Sequence, residues 1–233
     1  MPYTKHDRIK KIIQLDPTIL LGAVYLSFIA GFVNAISLSY YNVPISHMTG
    51  AVTRLSIDAA AFDYSEFRNI LFIITGFFFG AIFSGVIIGV QKFRPSLEYS
   101  VLLIIESVLL GVSFFLFKSN SKFALFFVAF ACGQQNAMAS NYLGLVIRTT
   151  HLTGIVTDLG VLIGQTFKHK KPNLWKIYFL LSLLVGFFGG GLLGMWSFHF
   201  VNFYSIFIPS AMCFFGGTGF YFLKLRGGRE LKK

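Results

Sequence analysis

One stretch of this chain occurs twice, and a duplicated chain has few ways to fold. His47–Leu55 (HMTGAVTRL) returns as His151–Leu159 (HLTGIVTDL), with six of nine positions identical. Upstream, Gly31-Phe32-Val33-Asn34-Ala35 is echoed by Gly133-Gln134-Gln135-Asn136-Ala137. Downstream, Gly76–Gly80 (GFFFG) matches Gly186–Gly190 (GFFGG), and Gly111–Lys118 (GVSFFLFK) matches Gly217–Lys224 (GTGFYFLK). The four matches keep their order, at offsets of 102, 104, 110 and 106 residues. One such coincidence is unsurprising in a chain rich in Gly and Phe; four in register are not. Each copy should build the same local unit, and the two units must pack together.

The apolar runs say where that packing happens. Hydrophobic residues make up 55% of the chain and charged ones 12%, against about 25% charged in a soluble domain. Six runs can each cross a hydrocarbon core about 30 Å thick: Ile19–Leu38, Phe67–Val90, Ser100–Phe117, Phe123–Ser140, Leu174–Phe198 and Phe203–Leu223. The first is too long for the apolar core of a signal peptide and reads as a retained helix. The expected fold is an all-α integral membrane protein, a single domain over 1–233. Repeat 1 occupies 19–118 and repeat 2 occupies 121–224, between a basic segment at 1–18 and a basic tail at 225–233.

A net charge of +11 would suit nucleic acid, but its placement points to lipid instead. Lys5, Arg8, Lys10 and Lys11 precede the first run beside Ile9, Ile12 and Ile13, the pattern of an interfacial turn. Lys224, Arg226, Arg229, Lys232 and Lys233 follow the last run. Cys132 and Cys213 lie inside apolar runs and make no disulfide framework. There is no metal-ligand spacing, no nucleophile elbow and no phosphate loop, so no metal, cofactor or enzymatic activity is expected.

Whether His47–Phe62 and His151–Phe167 also cross decides the symmetry. Each would make a helix about 24–26 Å long. Four crossings per repeat leave the halves parallel, whereas three force the second half upside down. Six and eight crossings both leave 16 of the 20 Lys and Arg residues inside, so the total does not choose. Matched loops do choose. With six, the loop holding Lys92 and Arg94 is inside, and its partner at His199–Asn202, without Lys or Arg, is outside. The stretch with Arg148, Lys168, Lys170 and Lys171 is inside, and its partner with Arg54 and Arg68 is outside. Arg54 and Asp58 also make a full lipid-exposed crossing costly. The expectation is six transmembrane helices as two inverted three-helix repeats, with both termini cytoplasmic. Each repeat then holds a short re-entrant helix carrying His-x-Thr-Gly-x-Val-Thr-x-Leu. Ser39–Ser46, with Asn42 and Pro44, breaks the first helix and can descend ~26 Å to the midplane when extended. Asn141–Thr150 has the same reach. Irregular backbone at that depth survives only inside protein or along a wet cavity.

Thr49 and Thr153 occupy the expected N-cap positions, followed by Gly50 and Gly154, which let a ligand approach the backbone. Free N–H groups at a positive helix end suit an anion or a polar solute atom. Helices entering from opposite faces would bring these turns, with His47 and His151, together around a pseudo-two-fold axis. Alternatively, each Thr-Gly merely caps a helix and each His bonds a backbone carbonyl. Thr53 and Thr157 also repeat and join the candidate solute-binding set. Arg54 and Asp158 hold equivalent places with opposite charge; they pair across the axis, or Arg54 pairs locally with Asp58. Glu106, deep in the third run with Met212 as its counterpart, is a candidate proton carrier or else a protonated carboxyl bonded to a neighbour. Asn34, Asn136, Gln134 and Gln135 line the cavity or bind helices together. Gly76, Gly80, Gly186, Gly190 and Gly194 have the spacing of close helix packing.

A helix ending in Gly-x-x-Asn-Ala, a break, then Ser46-His47-Met48-Thr49-Gly50 with Thr53-Arg54-Leu55 resembles the YoaK-type family of small bacterial integral membrane proteins. The resemblance covers essentially the whole chain and is most specific over Ser46–Leu55. Members usually read Met-Thr-Gly-Asn here; this chain has Ala51 and lacks that amide. The resemblance implies a protein of the bacterial cytoplasmic (inner) membrane with a multi-helix fold, and no substrate.

Inverted repeats, broken helices and polar midplane residues lead to the expectation of a secondary transporter or facilitator for a small polar solute, an anion slightly favoured. A passive channel on paired half-helices and a non-transporting scaffold or assembly protein are the alternatives. The expected partners are membrane lipid, the solute and, in a paired assembly, a second copy as a homodimer.

Overall fold

The computed structural model describes residues 17–43, 45–89, 97–138, 141–142, 145–146, 148–169 and 174–230. The segment 1–16 with its expected interfacial turn, Pro44, Lys92, Arg94, Lys170, Lys171, Lys232 and Lys233 lie outside the described residues. In chain order the helices are α1 (Pro17–Tyr41), α2 (Met48–Ala60), α3 (Tyr64–Ile88), α4 (Leu97–Lys118) and α5 (Phe123–Met138), then α6 (Leu152–His169), α7 (Leu174–Val201) and α8 (Phe207–Glu230). A 3-10 turn at Asn202–Ile206 joins the last two. Before α6, where irregular backbone was expected, β1 (Asn141–Tyr142) pairs antiparallel with β2 (Leu145–Val146). Pro17–Tyr41, Tyr64–Ile88, Leu97–Lys118 and the run Leu174–Phe222 are long and apolar enough to cross a membrane, and α5 is apolar but shorter, at 16 residues. The architecture is consistent with an α-helical membrane protein.

Asparagine ends several of these helices by one mechanism. Asn42, Asn120 and Asn202 have φ of 55°, 55° and 50°. Asn enters this left-handed region more readily than other side chains, and one such residue stops the helical ladder. Phe62 fills the same place after α2, at φ 57°, without that advantage. In both the α2 and α4 ends the chain folds back on the last turn: the Asp63 N–H donates to the Asp58 carbonyl at 2.9 Å, and the Ser121 N–H to the Leu116 carbonyl at 2.9 Å. Asp63 then caps α3, its side chain accepting from the Glu66 N–H at 3.1 Å.

Three helix pairs carry the packing: α1 with α7, α3 with α5, and α4 with α8. The first two make the same contacts with the halves exchanged. A Cβ on Gly31 would overlap the Phe187 carbonyl, and one on Gly133 the Phe77 carbonyl. Likewise a Cβ on Gly80 would overlap the Phe130 carbonyl, and one on Gly190 the Phe28 carbonyl. Gly76 lies against Phe126, Gly186 against Val24 and Gly194 against Phe32, so contacts advance together along each pair and both pairs run parallel. Backbones this close tolerate only glycine, which is the role its spacing suggested. Gln134 donates to the Leu102 carbonyl at 2.7 Å and Gln135 to the Leu26 carbonyl at 2.9 Å; both bind helices together.

Ring contacts and buried clusters sort the helix ends. Tyr40 and Tyr41 pack on Phe117 and Phe203, which places the ends of α1, α4 and α7 at one end of the bundle. Glu66 lines a cavity with Tyr40 and Tyr41, so α3 starts there as well. At the opposite end Ile19, Ile88, Tyr99 and Met138 cluster, joining the starts of α1 and α4 to the ends of α3 and α5. Phe179 clusters with Ala23 and brings the start of α7 to that end. The chain thus leaves and rejoins the bundle at the first end around α2, and at the second end around α6.

Candidate functional site, a cavity between two helix breaks

Each break is strapped by the Asn that the repeat preserves. Asn34 Oδ1 accepts from the Ser46 hydroxyl at 2.8 Å and the Ser46 N–H at 3.4 Å. Asn136 Oδ1 accepts from the Thr150 hydroxyl at 3.0 Å and the Thr150 N–H at 3.3 Å. Both lone pairs of each amide oxygen are engaged, and the residue just before the motif His is fixed to the helix it broke from. Of the two roles the sequence allowed these residues, lining the cavity or binding helices together, both Asn take a strapping one. Asn136 also reaches the cavity wall, while Asn34 is buried.

Between the breaks lies a cavity of about 440 Å³. Ser46, His47, Met48, Thr49 and Gly50 line it from one side, and Arg148, Thr150, His151 and Thr153 from the other. Phe77, at the middle of α3, is part of the wall. The His47 ring lies 6.4 Å from that of Phe187, at the middle of α7. The cavity therefore sits at half the height of the long helices.

α2 begins at Met48 with His47 as its N-cap, and α6 begins at Leu152. Thr49 and Thr153 are inside the first turns, not at the N-caps expected of them. The reason is backbone: the His47 carbonyl already accepts from the Ala51 N–H at 3.0 Å, and the His151 carbonyl from the Ile155 N–H at 3.1 Å. His47 makes no side-chain capping bond, so the first-turn N–H groups of α2, which lack intrahelical acceptors, receive none from it.

The remaining expected residues divide. Gly154 packs against the His151 ring, where a Cβ would meet Nδ1 and Cε1 at 2.6 Å; a Cβ on Gly50 would meet nothing within 4 Å. Thr53 and Thr157 use their hydroxyls within their own helices, donating to the Thr49 carbonyl at 2.9 Å and the Thr153 carbonyl at 2.8 Å. Arg54 pairs with Asp58 at 2.9 Å, one helical turn away, and not with Asp158, which is exposed on α6. Glu106 is buried in α4 and is not on the cavity wall; its Oε2 has no hydrogen-bond partner among the described residues. The Cys213 side chain lies beside its carboxyl, next to the repeat counterpart Met212. Cys132 and Cys213 are both buried and free. Among the described residues no three His, Cys, Asp or Glu side chains form a metal-ligand group.

Ser46, Thr150 and Arg148 reach the wall without having been singled out as site residues. Ser46 and Thr150 are a hydroxyl pair one position upstream of the repeated His, so extending the repeat by one residue finds them. Arg148 stands opposite Pro44 in that register and carries no such signal.

The family described as "Protein of unknown function (DUF1275)" matches residues 22–218, in keeping with the YoaK-type resemblance. No curated protein and no solved structure matches the chain.

Proposed function

The chain belongs to the DUF1275 family of proteins of unknown function, and, with no activity to inherit from it, we propose a secondary transporter or facilitator for a small polar solute, an anion favoured. The observation that carries this reading is the cavity shared by the two breaks at half the height of the helices. Helix N-termini at that depth have N–H groups to satisfy, and each left unpaired in hydrocarbon costs several kcal/mol. Water, a solute or the opposing turn must take them, and a place that exchanges these partners is a binding site. The positive helix ends and Arg148 favour a negative solute.

In this reading α1, α3, α4, α5, α7 and α8 make six crossings as inverted repeats in a bacterial inner membrane, with both termini cytoplasmic. α2 enters from outside and α6 from inside. The parallel pairs α1–α7 and α3–α5, each joining one half to the other, are the surfaces on which access alternates. Glu106, a buried carboxyl with an unpartnered oxygen, carries the coupled proton.

Purified protein in vesicles should take up at least one of formate, acetate, nitrate and phosphate saturably. Arg148→Ala and Thr153→Val should each reduce that uptake by about tenfold or more, the worth of a hydrogen bond to a charged group, with the protein still eluting as a folded species. Glu106→Gln should leave uptake without its pH dependence. Uptake of these anions and of neutral polar solutes no faster than in empty vesicles contradicts the reading. Non-saturable flux independent of pH favours a passive channel instead.

A further inference from the structure

A second cavity, of about 270 Å³, lies at the first end of the bundle, between the ends of α1 and α4 and the starts of α3 and α5. Tyr40, Tyr41 and Phe117 form an aromatic wall, and Glu66, Asn69 and Lys122 supply polar groups. Asn69 is only 5% exposed. Its Nδ2 donates to Glu66 Oε1 at 3.3 Å, which fixes the amide's orientation and leaves Oδ1 with no partner among the described residues. The Tyr41 hydroxyl is also buried without a partner among the described residues. Glu66 and Lys122 line the same space yet do not pair with each other.

The other half of the chain shows that none of this is required for packing. In the register of the downstream repeat, Glu66 corresponds to Lys176 and Asn69 to Phe179, which is 1% exposed and packs in an apolar cluster. An aromatic ring can therefore fill this place. Here an amide occupies it instead, with an orphan acceptor that is unfavourable in a buried place unless something donates to it.

We propose that this cavity is a binding site for a small zwitterion carrying a primary ammonium and a carboxylate. The ammonium donates to Asn69 Oδ1 and the Glu66 carboxylate against the aromatic wall, an arrangement in which a cation is doubly favoured. The carboxylate accepts from the Tyr41 hydroxyl and pairs with Lys122 at the rim. At about 270 Å³ the cavity is slightly below the range of about 300–1,000 Å³ that holds drug-sized ligands, so the zwitterion is small. This site does not depend on the transport reading. Asn69 and Phe77 are about 12 Å apart along α3, so the two cavities are separate along that helix.

The test is calorimetric binding to the full chain in detergent, with glycine, methylammonium and acetate as probes. Glycine should bind best. Glu66→Gln and Asn69→Leu should each weaken glycine by about tenfold or more. Asn69→Phe should abolish binding by filling the cavity. Lys122→Ala should weaken glycine while leaving methylammonium unchanged. Gly160→Ala, at an exposed helical position with nothing within 4 Å, is the control and should bind as the parent does. Equal binding of glycine and methylammonium, indifferent to Lys122, overturns the zwitterion in favour of a simple ammonium site. Absence of binding by every probe, or glycine binding untouched by Glu66→Gln, overturns the site itself. Because Glu66→Gln preserves shape, a folding failure of Asn69→Phe leaves the test intact.

Discussion

Around α2, Asn34 holds Ser46 and Arg54 pairs with Asp58; around α6, Asn136 holds Thr150, while the places of Arg54 and Asp58 are taken by Asp158 and Leu162. The same division runs through the molecule. Gly31 on Phe187 has its counterpart in Gly133 on Phe77, but Pro44 stands opposite Arg148, Glu106 opposite Met212 and Asn69 opposite Phe179. What the halves share is geometry: close helix contacts and a strapped break. Where they differ is in charge and in single polar side chains such as Glu106 and Asn69. A central cavity needs both breaks at the same depth, so its construction is duplicated; a direction, a coupled proton or a preferred solute sign needs the halves to differ.

Substitutions can break this comparison, and the largest effects should come from the shared parts. Gly31→Leu and Gly133→Leu each drive a side chain into a facing carbonyl, and each should destabilise at or beyond the upper end of about 1–3 kcal/mol. Thermal unfolding in detergent should show losses of similar size, with Gly160→Leu near the parent. Tolerance of one and not the other would mean that the contacts are not equivalent. Next come Asn34→Leu and Asn136→Leu, which strand a hydroxyl and an N–H in each break. Each should cost about 1–3 kcal/mol, and hydrogen exchange should rise at Ser46 in the first variant and Thr150 in the second.

Smaller effects sharpen the differences. Phe62→Gly relieves a left-handed φ and should raise stability by about 1 kcal/mol, whereas Asn120→Gly should change little. An unchanged melting temperature for Phe62→Gly would mean that the exposed ring contributes as much as the backbone strain removes. Arg54→Ala should cost about 1–2 kcal/mol, because it strands the buried Asp58 carboxylate although the Arg side of the pair is half-exposed. Asp158→Ala, at an exposed position with no partner among the described residues, should stay within about 0.5 kcal/mol of the parent. A larger loss at Asp158 than at Arg54 would reverse the assignment of the paired half.

Much of this architecture was legible because glycine and asparagine have few reasons to recur. The spacing of Gly76, Gly80, Gly186 and Gly190 announced close helix packing, and Asn42 with Pro44 announced the first break. The site was legible only in outline. Thr49 looked like an N-cap because Thr-Gly before an apolar run has that pattern, yet the cap depends on which carbonyl accepts the first helical bond, and here it is that of His47. Asn34 looked like a cavity residue because a polar side chain near a break has two outlets, lumen or strap, and sequence does not distinguish them. Arg148 and the Glu66–Asn69 pair belong to one half only, so a search guided by duplication passes over them.

The central claim is that the two breaks open toward opposite faces and meet at one cavity. Single cysteines at Phe62 and Phe167, both exposed, in a chain with Cys132 and Cys213 replaced by Ala, test it directly in oriented membrane vesicles. A membrane-impermeant maleimide applied from outside should label position 62 and spare position 167, and applied from inside should do the reverse. Labelling of both positions from the same face contradicts the inverted arrangement and, with it, the shared cavity as a site of alternating access.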